Sequence, residues 1–193
     1  MKRVITIIAA FLLVFTSTAQ TTQKQHLKFK GVPIEGNFSE FVMNLVQKGF
    51  QQISMSADNA ILVGNFMAVP GVTVVVWPNP ASKAVSSVNA FIPAGENWPE
   101  IKASYYNTVK TYTEKYGAPS EHEERFTTNP ENNDYLRKVA LREGRCIYFS
   151  LWKVEGGAIR VSLTCIDFQY YVRCEYLDEQ NEDALHKTIL DEI

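Results

Sequence analysis

Hydrophobic residues recur at helical spacing near the start of the chain. In residues 37–50, five apolar side chains follow steps of three and four: Phe38, Phe41, Val42, Leu45 and Val46. Asn37 followed by Glu40 has the form of a capping box, and Gly49 suits the position after a helix end. The pattern predicts a short amphipathic helix with one buried face.

A second and longer segment, residues 98–119, has the same period and an almost wholly aromatic face. Its regularly spaced residues are Trp98, Ile101, Tyr105, Val109, Tyr112 and Tyr116. Pro99 suits a first helical turn, and Gly117 followed by Pro119 ends the pattern. An aromatic stripe at this spacing is typical of a helix that packs on a sheet, so we predict a core-packing face rather than a ligand groove.

Elsewhere the hydrophobic period changes to two, or to continuous runs of β-branched residues, which is typical of strands. Four strands are predicted after the first helix, at residues 51–57, 60–67, 72–79 and 85–93. Four more follow the second helix, at residues 120–126, 145–154, 158–166 and 170–178. The polar residues 127–134 are predicted to form a loop, and residues 181–193 a C-terminal helix.

The two halves therefore share one order of elements, a helix followed by four antiparallel strands. We interpret them as tandem repeats, residues 26–93 and 97–178, within one globular domain that extends over residues 20–193. The predicted fold class is α+β, an antiparallel sheet with helices on one face. Such a sheet buries both amphipathic helices in a chain of this size.

A chain of this length that repeats a helix and four antiparallel strands resembles the tandem-repeat architecture of the β-lactamase-inhibitor-protein family, and also other small secreted bacterial domains. The resemblance covers most of residues 26–178 and rests on element order. It implies a concave sheet surface that presents side chains to a protein partner. That family closes each repeat with a disulfide, whereas residues 20–145 contain no cysteine here. No functional residue is carried over, because a shared fold does not specify function.

The start of the chain has the features of a secretory signal peptide. Lys2 and Arg3 provide a positive charge, residues 4–15 form an apolar run, and small residues stand at the −3 and −1 positions before Gln20. The run is shorter than the roughly 20 residues that span a bilayer. The sequence therefore predicts a signal peptide over residues 1–19, cleavage after Ala19, and a periplasmic or secreted protein without a membrane span.

Composition and charge mainly exclude classes of protein. A chain that is 46% hydrophobic and 21% charged has the composition of a globular domain rather than of a disordered one. A formal net charge of −2 without a dense Lys/Arg run argues against nucleic-acid binding. Gly156–Gly157 forms no GxGxxG or P-loop motif, and no cofactor is predicted.

No pattern of residues predicts a metal or catalytic site. The three histidines, His26, His122 and His186, fall in separate regions, whereas a zinc site requires three or four convergent ligands. His122 and Glu124 share one face of a predicted strand, which we interpret as a solvated charged edge. The chain has no GxSxG and no SxxK with KTG. Because catalytic triads are spatial, a periplasmic hydrolase or small-molecule enzyme with a dispersed site stays as the alternative to a non-catalytic protein.

All three cysteines lie in the predicted strands of the second half. With residues 155–157 taken as a three-residue hairpin loop, Cys165 and Cys174 share a face and lie close to direct opposition, while Cys146 falls on the other face. Three thiols that do not converge predict no shared metal site. A Cys165–Cys174 disulfide and two buried free thiols are both compatible with this arrangement.

The same three-residue loop places Ile147, Phe149 and Leu151 in the core. It leaves a mixed aromatic and charged surface on the opposite side of the sheet. The predicted members of that surface are Tyr148, Trp152, Arg160, Arg173 and Glu175. Aromatic residues at the ends of strands are further binding candidates: Trp77, Tyr170 and Tyr171. We therefore predict a non-catalytic binding or inhibitor-like module that meets a protein or glycan partner through an open sheet face or its hairpin tips.

Overall fold

A computed structural model of the chain describes residues 25–80, 82–130 and 132–181. The predicted signal peptide and almost all of the predicted C-terminal helix lie outside these ranges. The described helices are α1 (Phe38–Gln47), α2 (Trp98–Tyr116) and α3 (Asp134–Arg142). The described strands are β1 (Lys28–Phe29), β2 (Val32–Pro33), β3 (Gln51–Met55), β4 (Ala60–Phe66), β5 (Val69–Pro78), β6 (Val85–Pro93), β7 (Glu121–Phe126), β8 (Cys146–Val154), β9 (Gly157–Ile166) and β10 (Gln169–Asp178).

Strands β3 to β10 form one antiparallel sheet in the order β3-β4-β5-β6-β10-β9-β8-β7. Each half of the chain contributes a helix and four strands, and the last strand of each half lies in the middle of the sheet. There β6 pairs with β10 from Tyr171 opposite Pro93 to Leu177 opposite Ser87. The predicted α+β fold with two tandem units is confirmed, and α3 is inserted between β7 and β8 of the second unit.

The described helices and the sheet share one hydrophobic core. Helix α1 contacts β3 and β5, α2 contacts β8, β9 and β10, and α3 contacts β8 and β9. The short β1–β2 hairpin joins the same core through Phe29, which is fully buried and stacks on Phe66 with ring centroids 5.1 Å apart. One face of the sheet is therefore covered along most of its width.

The aromatic face of α2 packs on the sheet, as its spacing predicted. Tyr105 and Tyr112 are buried, and each hydroxyl finds a polar partner on a strand below. The Tyr112 hydroxyl lies 2.7 Å from that of Tyr176, and the Tyr105 hydroxyl lies 3.0 Å from Ser150 Oγ. Because these buried hydroxyls are paired, the helix is fixed over the second half of the sheet in one position.

Helix α3 was not predicted from the sequence. Asn133 caps it by accepting hydrogen bonds from the backbone N–H groups of Tyr135 and Leu136. Only Ala140 and Leu141 are buried, and Tyr135 is 67% exposed. Its apolar residues Leu136, Val139 and Ala140 do follow helical spacing, but a nine-residue helix is shorter than the roughly 11–18 residues over which such a period is recognised.

The hairpin between β8 and β9 has a two-residue turn rather than the predicted three-residue loop. Val154 pairs with Gly157, which leaves Glu155 and Gly156 as the turn. Gly156 has φ +86°, and a Cβ there would collide with the backbone at Gln25. Because the turn is one residue shorter than predicted, each side chain of β8 lies on the face opposite to the predicted one. The prediction that Ile147, Phe149 and Leu151 line the core was therefore wrong.

Candidate binding surface on the open sheet face

None of the described helices covers the second face of the sheet, which we call the open face. The pairing register places the following residues of β5, β6, β10, β9 and β8 on it: Thr73, Val75, Trp77, Ser87, Asn89, Phe91, Tyr171, Arg173, Glu175, Leu177, Ala158, Arg160, Ser162, Thr164, Ile147, Phe149 and Leu151. Most of these side chains are partly exposed. The sheet therefore has one core side and one side that solvent reaches.

Four polar residues meet in the middle of the open face, and we call them the polar centre: Asn89, Arg160, Arg173 and Glu175. Glu175 lies directly opposite Asn89 on β6 and directly opposite Arg160 on β9. Arg173 precedes it by two residues on the same strand, and Arg173 Nη2 donates to Glu175 Oε2 at 3.0 Å. The sheet register thus brings two cations, one carboxylate and one amide together from three neighbouring strands.

An aromatic ring rather than a carboxylate positions Arg160. Its guanidinium carbon lies 4.4 Å from the centroid of the Phe149 ring. No hydrogen bond joins this guanidinium to another residue of the described ranges. Stacking on a ring occupies one planar surface of a guanidinium and leaves the N–H groups at its edge available.

The polar centre also contains buried polar atoms that have no hydrogen-bond partner. Within the described ranges, the buried side-chain nitrogen and oxygen atoms without a partner are Asn89 Oδ1, Arg160 Nε and Arg173 Nε. Leaving such a group unpaired costs about 1–3 kcal/mol, and more when the group is charged. All three atoms lie on the open face, whereas the helix-covered core of the described chain contains none.

Aromatic and aliphatic side chains flank the polar centre. On one side Phe91 and Tyr171 meet edge to face, with ring centroids 6.1 Å apart. Farther out, Trp77 is 42% exposed near the end of β5. On the other side lie the open-face residues of β8: Ile147, Phe149 and Leu151. Protein interfaces are enriched in this combination of aromatic residues and arginine.

Five of the eight predicted binding residues lie on the open face: Trp77, Arg160, Tyr171, Arg173 and Glu175. The other three, Tyr148, Trp152 and Tyr170, lie on the helix-covered face, so the predicted surface does not exist as one patch. Trp152 is 1% exposed, and its Nε1 donates to the Gly117 carbonyl at 2.9 Å. Tyr148 packs edge-on against Trp98 at 5.7 Å. The two-residue turn before β9 explains the placement of Tyr148 and Trp152.

Sequence reasoning missed five residues of the site: Asn89, Phe91, Ile147, Phe149 and Leu151. Phe149 was assigned to the core by the mistaken face of β8. Asn89 lies in the predicted strand 85–93, where it is the polar residue between Val88 and Ala90. A buried asparagine in an apolar strand was the available signal, but the sequence does not show which residues lie beside it.

The three cysteines are free thiols, so of the two alternatives that the sequence leaves open for Cys165 and Cys174, the disulfide is not formed. Cys165 pairs with Tyr170, whereas Cys174 pairs with Val161. That offset of four residues separates the two cysteines by about 13 Å along the strands, beyond the roughly 7 Å that a disulfide permits. Burial raises the pKa of Cys146 and of Cys174 to about 12, so both thiols are protonated at neutral pH.

A serine, a histidine and a carboxylate meet beneath α2 with the connectivity of a catalytic triad. His122 Nδ1 lies 2.9 Å from Ser150 Oγ, and His122 Nε2 lies 3.3 Å from Glu124 Oε1. Ser150 is nevertheless fully buried, and its Oγ also contacts the Tyr105 hydroxyl. A nucleophile must be reached by its substrate, so this group is a polar network around a buried serine rather than a reaction centre.

A cavity of about 730 Å³ lies on the helix side, between the β1–β2 hairpin and the end of α2. Tyr112, Tyr116 and Tyr176 line it together with four lysines: Lys28, Lys30, Lys115 and Lys153. The buried polar atoms that lack partners in the described chain all lie elsewhere, at the polar centre. The described residues also contain no cluster of three or more His, Cys, Asp or Glu side chains that would hold a metal ion.

Comparison of the chain with protein-family models, with curated proteins and with solved structures found no match. Within the described residues, no helix combines the length and apolar character needed to cross a membrane. The open face itself is therefore the basis for a functional proposal.

Proposed function

We propose that the protein is a non-catalytic binding module whose open sheet face docks a partner protein. The observation that carries this proposal is the coincidence of unpaired arginine and asparagine atoms with partly exposed aromatic residues on one uncovered face. At about 4.8 Å per strand, eight strands span about 34 Å. That width suits an interface of about 800 Å² per partner. The element order that resembles the β-lactamase-inhibitor-protein family agrees with such a role.

An enzymatic role has weaker support. The contact between His122 and Ser150 is the arrangement that most resembles a catalytic group, and its serine has no access to solvent. The residues of the open face include no nucleophile next to a base. We therefore prefer binding to the hydrolase alternative.

The location that fits this function is outside the cytoplasm. The amino-acid pattern of residues 1–19 supports export, and free thiols are compatible with an oxidising compartment here because Cys146 and Cys174 are buried and Cys165 lies too far from Cys174 to pair with it. The intact mass of the protein from its native source tests this: export predicts a chain that begins at Gln20, and an uncleaved chain from the cytoplasm contradicts it.

Site-specific crosslinking tests the docking surface. A photoreactive amino acid placed at Thr73 or Ser87 on the open face is expected to capture a partner in cells that produce the protein. The matched control places the same amino acid at Lys110 on the outer surface of α2, where the side chain is 77% exposed. Capture from the open-face positions alone supports the proposal. Equal capture from Lys110, or capture from Lys110 alone, contradicts it.

A further inference from the structure

We propose that the polar centre of the open face binds a carboxylate of an acidic segment in the partner protein, through the guanidinium groups of Arg160 and Arg173. The inference rests on the proposed function and names the chemistry of the partner. It makes the two arginines the residues that determine specificity within a surface of mixed aromatic, aliphatic and polar side chains.

The charge of the site favours an anion. The polar centre holds two arginines and one glutamate, so it is positive by one unit in a chain whose formal net charge is −2. In the described structure Arg173 donates to Glu175 through Nη2, and Arg160 is held by the Phe149 ring without a hydrogen bond. Since a guanidinium has five N–H donors, most of the donors in this cluster have no protein partner.

The positions of the two arginines are set before a partner arrives. Phe149 orients Arg160, and Glu175 orients Arg173 while lying opposite Arg160 across the strand pair. The Arg173 side chain is 32% exposed and that of Glu175 is 18% exposed. A carboxylate that approaches the open face therefore meets donors that are already fixed and partly removed from water, where charge-assisted hydrogen bonds are strong.

The surroundings of the cluster favour a polypeptide over other anions. A peptide segment offers a carboxylate that accepts from the arginines, together with apolar side chains next to it. The apolar residues on both sides, Phe91 with Tyr171 and Leu151 on β8, suit apolar neighbours of an acidic residue. A sulfated polysaccharide has charge but lacks the apolar surface that these flanks would cover.

Selection of peptides from a randomised twelve-residue display library on the purified chain tests this inference. The expected binders share an aspartate or glutamate next to an apolar residue. Their Kd is measured against the wild-type chain and against the Arg160→Met and Arg173→Met variants. Losing one partner of a desolvated charge pair is expected to weaken binding about 30-fold or more. Replacing the acidic residue of the peptide by its amide should give a similar loss.

A double-mutant cycle separates contact from an indirect effect. The losses from Arg173→Met and from the amide peptide should be strongly non-additive, since both remove the same pair. The control is Arg142→Met, which changes an arginine on α3, on the helix-covered side of the sheet, where its side chain is 37% exposed, and it should leave Kd unchanged. Additive losses, or an equal loss from Arg142→Met, overturn the inference.

Two further outcomes distinguish this inference from the proposed function. Binders that lose affinity on Phe91→Ser but share no acidic residue overturn carboxylate recognition and leave the docking face intact. Arginine-dependent binding of dextran sulfate, without acidic peptide binders, also overturns it. If no selected binder responds to any open-face substitution, both proposals fail.

Discussion

At the scale of single residues, the proposed function depends mainly on three side chains: Asn89, Arg160 and Arg173. Each carries a buried polar atom without a partner, although the rest of the described core pairs its buried side-chain polar atoms. Natural proteins retain few such groups. Their concentration on one uncovered face is the observation behind the proposal that this face binds a partner.

The cysteines give a prediction at the same scale. Iodoacetamide at pH 8 is expected to label the native chain first at Cys165, which is the partly exposed thiol, while Cys146 and Cys174 are buried and have pKa values raised to about 12. The thiolate is the reactive form, so the buried pair should react only after unfolding. Intact mass should then show three labels in denaturant without reductant. A gain of two further labels on adding reductant would indicate a disulfide.

At the scale of elements, long periodic segments were predicted well and short ones were not. Helix α2 and the central strands have apolar positions at regular intervals, and burial follows those positions. The alternation in β9 and β10 also predicts their faces correctly, and it groups Arg160, Arg173 and Glu175 on one surface. For β8, the prediction of which side chains face the core depended on the length of the turn at residues 155–157. The turn is one residue shorter than predicted, so the predicted faces were reversed.

The contact between α2 and the sheet predicts sensitivity to alkaline pH. Burial raises the pKa of Tyr105 to about 12 from 10.0 and that of Cys174 to about 12 from 9.0, and it raises the pKa of Tyr112 and Tyr176 well above their usual value. As the pH rises, these groups lose their protons at a lower pH in the unfolded chain than in the folded protein. Their contribution to stability is therefore complete below about pH 9 and falls as the pH rises toward 12.

Urea unfolding as a function of pH checks this contribution. Tyr105→Phe removes one of the groups, so above about pH 10 its free energy of unfolding should fall less steeply, by about 1.4 kcal/mol per pH unit. Tyr135→Phe is the control, because Tyr135 is exposed on α3. An unchanged slope in Tyr105→Phe would show that Tyr105 is not held neutral in the folded protein.

At the scale of the whole molecule, the order of strands creates the open face. The last strands of the two halves, β6 and β10, pair in the middle, and this joins eight strands into one sheet. The described helices pack on one side of it. Sequence periodicity predicted two halves, but it did not predict their relative order, because strand pairing across the halves is a long-range contact. Asn89 was missed for this reason, since it meets Glu175 only across the junction of β6 with β10.

The central claim is that the arginines of the polar centre are retained for binding and not for stability. Urea unfolding of the Arg160→Met/Arg173→Met/Glu175→Met triple variant tests it most directly, because removing Arg173 without Glu175 would leave the 18% exposed carboxylate unpaired. The account predicts a free energy of unfolding equal to or above that of the wild-type chain, because the ionic group is replaced as a whole and apolar contacts are kept. A decrease of more than about 1 kcal/mol, the usual effect of losing a structural contact, would contradict the claim.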